Sequence, residues 1–86
     1  MITIELFGVP RQRAGKARLE VQAHTLGEAL RALSRACPAL EASVLANGAV
    51  HPAYRVSLNG DRFVSDPATL LGEGDALLLL AADAGG

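Results

Sequence analysis

The chain of 86 residues holds a single cysteine, Cys37, and no tryptophan. A lone thiol cannot close an internal disulfide, so nothing staples the fold covalently and a reducing compartment is expected. Aromatic side chains are almost absent: Phe7, Tyr54 and Phe63 are the full set. Any core must therefore be assembled from Leu, Val, Ile and Ala. No apolar run approaches the roughly 20 residues of a membrane-spanning helix, so no membrane association is expected. The opening "MITIELFG" has neither the basic start nor the small-residue cleavage site of a secretory signal, and the expected location is cytoplasmic. Net charge is only −1, which argues against nucleic acid as a main partner.

What is present suits one small globular domain. Half the residues are hydrophobic and 20% are charged, a balance that excludes a disordered chain. The length supports a single core without much margin. Charge is unevenly spread. Residues 1–60 carry seven Lys/Arg against four Asp/Glu, a net +3, and residues 61–86 carry one Arg against five acids, a net −4. The acidic end includes Asp83, which fits either recognition by a basic partner surface or ordinary solubility.

Hydrophobic periodicity gives the element order. "ITIELFG" alternates, with Ile2, Ile4 and Leu6 on one face and Thr3, Glu5 and Phe7 on the other, as a strand with one buried face does. "VPRQRAGK" reads as a basic loop broken by Pro10 and Gly15, and "ARLEVQ" as a second strand completing a hairpin, with Leu19 and Val21 inward. At Thr25-Leu26-Gly27-Glu28 the period changes, and Thr25 with Glu28 fits a helix capping box. Leu26, Leu30, Leu33 and Cys37 recur at helical spacing, with Ala29 and Ala36 in the same stripe, until Pro38 ends the helix. "ALEASVLANG" reads as a shorter second helix stopped at Asn47-Gly48. "AYRVSLNGDRFV" reads as two strands around Asn59-Gly60, the pair that a type I′ hairpin turn requires. "SDPATLLGEGDA" is a connection, and "ALLLLA" is the last strand. One apolar helix stripe covers one face of one mixed sheet, which makes a two-layer α+β domain.

That last strand sets a problem. Alternation puts Leu77 and Leu79 on one face and Leu78 and Leu80 on the other. A strand apolar on both faces needs cover on both, and the chain has helix enough for one. Two readings stand: Leu78, Leu80 and Phe7 form an exposed partner surface, or a loop folds over them.

Internal chemistry is sparse. "GVPRQRAGKA" fails as a phosphate loop: counting back from Gly15-Lys16 reaches Pro10 where a glycine is needed, and Ala17 replaces the metal-binding hydroxyl. Cys37 lies on the apolar stripe, as a packing cysteine does, and His24 and His51 fall in turns at no zinc-ligand spacing. No metal site, bound cofactor or independent catalytic constellation is expected.

The strand order and the ending "AGG" together resemble the MoaD/ThiS family of β-grasp, ubiquitin-like sulfur carriers. The resemblance spans essentially the whole chain. It rests on "ITIELFGVPRQRAGK", "TLGEALRALSRACPAL", "VSLNGDRF", "LLGEGDALLLL" and the terminal glycines. The opening segment is most similar to the MoaD type, the small subunit of molybdopterin synthase. Ala81-Ala82-Asp83 and Arg62 depart from the residues usual there. The resemblance implies a β-grasp domain over 1–81, with about five strands and one main and one short helix on one face. A flexible diglycine tail over 82–86 follows. It implies a non-enzyme carrier whose Gly86 carboxylate, with Gly85 beside it, is adenylated by an E1-like enzyme using ATP and Mg. A sulfurtransferase or cysteine desulfurase then converts it to a thiocarboxylate for a sulfur-accepting enzyme such as the molybdopterin synthase large subunit. Partner-facing apolar positions fall on Phe7 and Leu80.

Elementary chemistry agrees with activation by a partner. An α-carboxylate has a pKa of about 3.5, so it is ionised and a poor electrophile at neutral pH. Residues 82–86 span at most roughly 17 Å when extended, enough to thread a narrow channel that glycines pass without a Cβ. Three readings remain open at the level of sequence: a sulfur carrier, a protein modifier joined to lysines, and a plain β-grasp interaction domain. The identity of the sulfur acceptor is open as well.

Overall fold

A computed structural model describes residues 1–46 and 48–83. Strand β1 (Ile2–Leu6) pairs antiparallel with β2 (Arg18–Val21) and parallel with the last strand, β7 (Ala76–Ala81). On the other side β7 pairs antiparallel with β5 (Tyr54–Leu58), which carries β6 (Arg62–Val64) at the edge. The mixed sheet therefore runs β2-β1-β7-β5-β6, with β7 at its centre. This is the β-grasp architecture that the sequence implied.

The segment between β1 and β2 is more ordered than a basic loop. It holds helix α1 (Val9–Ala14). The two residues that read as breakers are compatible with its ends. Pro10 sits in the first turn, where an amide has no intrahelical partner to lose. Gly15 caps the other end in the left-handed conformation, donating its N–H to the Arg11 carbonyl at 3.0 Å.

Helix α2 (Leu26–Ala36) lies across one face of the sheet and buries Leu26, Ala29, Leu30 and Leu33, with Cys37 just past its end. Ala36, placed in the stripe by periodicity, is exposed instead. The N-terminus is secured from three directions. Glu28 donates its N–H to Thr25 Oγ1 at 3.2 Å, while the Glu28 carboxylate accepts from the His24 amide, one residue before the cap, at 2.8 Å. The connection before β7 supplies the rest: Thr69 and Pro67 carbonyls accept the amides of Leu26 and Gly27 at 2.9 and 3.0 Å. A Cβ on Gly27 would stand 3.2 Å from the Pro67 side chain, so the crossing is close and a larger residue would push Pro67 aside.

The expected second helix over residues 39–48 does not form. A short 3-10 turn spans Pro38–Leu40, and a two-stranded ribbon follows, β3 (Leu45–Ala46) with β4 (Ala49–Val50). Ala42 adopts φ +77, which no right-handed helix accommodates. The apolar spacing was real, since Leu40, Val44 and Leu45 are all buried, but a compact turn buries them as well as a helix would. Asn47, half of the proposed helix stop, lies outside the described residues. The short helix of this fold is α1, which packs on the 3-10 turn.

The hairpin turn is as read. Asn59 and Gly60 take φ +58 and +68, and Asp61 N–H closes on the Leu58 carbonyl at 3.0 Å. Asn59 does a second job. Its side chain accepts from the Ala76 amide at 2.8 Å and donates to Asp75 Oδ1 at 3.0 Å, tying the hairpin tip to the start of β7.

Candidate interaction face and C-terminal segment

Alternation along β7 is carried into space. Leu77 and Leu79 are buried beneath α2, whereas Leu78 and Leu80 are half-buried on the opposite face. Phe7 follows β1 directly and donates its amide to the Leu79 carbonyl at 3.1 Å, which brings it level with Leu80. It is 41% exposed. Phe7, Leu78 and Leu80 share one side of the sheet, with Phe7 exposed and the two leucines only half-buried, as the reading of an open face expects.

The face extends further than the sequence reading placed it. Ser57 pairs with Leu78 on one side and Phe63 on the other, and Arg55 pairs with Leu80. Phe63 is 47% exposed, and the Arg55 guanidinium lies over its ring at 5.0 Å from the centroid. Ser57, only 8% exposed, is closed in beneath these longer neighbours. Phe63 and Arg55 were legible in principle. The Asn59-Gly60 turn fixes which β6 residue meets Ser57, and period two fixes its face.

Strand β7 also positions the end of the chain. It is hydrogen-bonded between β1 and β5, and Ala82 continues the contact by donating its N–H to the Ala53 carbonyl at 2.8 Å. Asp83 follows and is exposed. Gly85 and Gly86, the residues proposed as reactive, lie outside the described residues.

Other chemistry is thin. Cys37 is buried and free, as expected of a packing residue. Among the described residues no cluster of His, Cys, Asp or Glu is arranged to hold a metal, and no helix is long and apolar enough to cross a membrane. A shallow cleft of about 360 Å³ is lined by Leu26, Leu30, Val50, Phe63 and Val64, with Tyr54, Arg55 and Ser65 as its polar members. The Gly72 amide, and after it the Asn59 side chain, holds the Asp75 carboxyl below the ordinary carboxylate range.

No protein-family model matches the chain. No curated protein matches it by sequence. Solved structures do. The small archaeal modifier protein SAMP1 from Haloferax volcanii is 31% identical, with a TM-score of 0.78 over 99% of this chain and 98% of that one. CysO in the BexX/CysO complex of Amycolatopsis orientalis has a TM-score of 0.81 at 22% identity, with both chains covered completely. A chain from the complex of subunits 1 and 2 of the molybdopterin-converting factor of Helicobacter pylori has a TM-score of 0.66 at 24% identity, covering 99% of this chain and 97% of that one. The last two likenesses speak to the fold, and SAMP1 adds sequence identity along nearly the whole length. With the five-stranded β-grasp sheet and its open apolar face, that identity shows that the chain belongs to the MoaD/ThiS family of ubiquitin-like sulfur carrier proteins.

Proposed function

We propose that this protein carries sulfur as a thiocarboxylate on Gly86. The Gly86 carboxylate attacks the α-phosphorus of ATP in an E1-like partner and displaces pyrophosphate. A persulfide on a sulfurtransferase or cysteine desulfurase then attacks the acyl carbon and displaces AMP, giving an acyl disulfide. A thiol of the partner system cleaves its S–S bond and is itself oxidised to a disulfide, so that sulfur replaces one carboxylate oxygen. The sulfur passes to a biosynthetic enzyme, and the carboxylate is regenerated. The chain itself supplies no catalytic group. It supplies a docking face and a carboxylate at a set distance from that face.

The observation that carries this reading is the anchoring of β7. The strand that precedes the glycines is bonded on both edges, and its last tie is Ala82 to Ala53. A reactive carboxylate must meet its partner within about 3–3.5 Å in line, and one residue shifts it by roughly 3.5 Å. A fixed departure point makes that tolerance achievable.

Co-expression with an E1-like enzyme and a sulfur donor is expected to raise the intact mass by ~16 Da, the replacement of oxygen by sulfur at an activated acyl group. Deleting Gly86, or adding a residue after it, is expected to abolish the gain and leave the melting temperature unchanged. A normal gain in the deletion variant would overturn the reading. The name of SAMP1 as a modifier protein favours a second outcome from the same activated glycine, an amide with a lysine amine. It would appear as higher-mass conjugates in the same experiment.

A further inference from the structure

One charge on the open face stands apart from the others. Arg55 stands beside Leu80 across the β5–β7 ladder and leans over Phe63. Among the described residues it makes no ion pair. The other charges on this face are arranged differently. Glu5 lies on the far side of Leu78, in register with both Leu78 and Arg18, so an opposite charge flanks it across the β1–β2 ladder. Arg55 has Leu80 and Phe63 as neighbours and no carboxylate. Across the face, then, Glu5, Arg18 and Glu20 lie to one side of the leucines, and a guanidinium with no ion pair among the described residues lies to the other.

A partner that covers Leu80 and Phe63 must also cover Arg55. Removing a guanidinium from water without an acceptor costs several kcal/mol, more than a small apolar contact returns. Stacking on Phe63 offsets part of that loss and fixes the plane of the fork, ready for a bidentate acceptor.

We propose that Arg55 is the specificity-determining residue of the open face, and that the E1-like partner meets it with a carboxylate set in an otherwise apolar surface. The inference rests on the carrier reading above. It adds the chemistry of the partner's surface and the orientation of docking. The carboxylate faces the β5 side, with Glu5 and Arg18 on the opposite side, so a docking pose turned by half a circle places like charge against like.

The test uses the full-length chain and the E1-like adenylating enzyme encoded in the same genome, with dissociation constants measured by calorimetry and thiocarboxylation by intact mass. Arg55→Glu is expected to weaken binding about 30-fold or more, the range for breaking a desolvated charge pair. Arg55→Leu is expected to weaken it about tenfold or more, because the partner's carboxylate is left buried and unpaired. Arg55→Lys keeps the charge without the planar fork and should fall between Arg55→Leu and wild type. Arg55 is exposed, so all three variants should melt with the wild type. An Arg55→Leu variant that binds as tightly as wild type or tighter, while the wild type gains sulfur normally, overturns this inference alone. A wild type that neither binds the enzyme nor gains mass overturns the carrier reading and this inference with it.

Discussion

Strand β7 offers leucine to two environments. Leu77 and Leu79 point under α2 and are buried, while Leu78 and Leu80 point to the opposite face and stay half-exposed. The residue type is the same, the strand is the same, and both pairs lie between the same two neighbouring strands. Only the side of the sheet differs. The covered leucines hold the fold together, and the open ones are available to a partner. Side-chain chemistry alone therefore does not divide core residues from surface residues. The register of the strand does, because a slip of one residue would exchange the two sets.

The largest expected effect comes from the covered face. Leu79→Ala removes a side chain that is 1% exposed, and a loss of about 2–5 kcal/mol is expected by denaturant titration. A loss below 1 kcal/mol would mean that the covered face is packed no better than the open one, and the contrast would collapse.

Next in size is the turn that sets the register. Gly60 has φ +68 and open space where a Cβ would stand, so a substitution there meets backbone strain alone. Gly60→Val is expected to cost about 1–2 kcal/mol. If it melts with the wild type, the hairpin has changed its turn, and the placement of Phe63 beside Ser57 must be redrawn.

On the open face the sign of the contrast reverses. Leu80→Asp is expected to change stability by less than about 1 kcal/mol and to weaken binding of the E1-like partner strongly, as substitution of an apolar anchor does. A large fall in melting temperature would move Leu80 into the core and end its claim as a docking residue.

The smallest effect concerns pH. Asp75 accepts from the Gly72 amide at 2.8 Å and from Asn59, and its carboxyl titrates below the ordinary 3.8. A carboxyl with a folded pKa below its unfolded one contributes stability above the unfolded value, which is lost as pH falls through the folded one. Wild-type stability is therefore expected to decline as pH drops below about 3.8, more steeply than that of Asp75→Asn, in melting curves taken side by side. Parallel curves would show that the Asn59–Asp75 contact contributes nothing to holding β7 in register.

The strands and the main helix were legible because their signals are local. Ile2, Ile4 and Leu6 alternate, Leu26, Leu30 and Leu33 recur at helical spacing, and Asn59-Gly60 demands one type of turn. Two segments misled. Pro10 and Gly15 read as breakers yet stand within the first turn and at the stop of α1, since a six-residue helix is mostly ends. Residues 39–48 carry helical spacing, but Ala42 takes a left-handed conformation that no local preference of alanine favours. Of the proposed docking residues, Phe7, Leu78 and Leu80 came from alternation, whereas Arg55 needed the β5–β7 register and Phe63 the β5–β6 register.

The sequence by itself determined the pattern: which residues are apolar, at which period, and where the chain must turn. Those follow from backbone sterics and hydrophobicity, which act over a few residues. Only the tertiary structure decided which apolar face is covered. Both faces of "ALLLLA" are equally greasy, and the chain has one long helix to spend on them. Its position was settled by contacts distant in sequence, the Thr69 and Pro67 carbonyls closing on the first turn of α2 and β7 threading between β1 and β5. Such long-range contacts leave no periodic trace, so the same four leucines became half core and half open face.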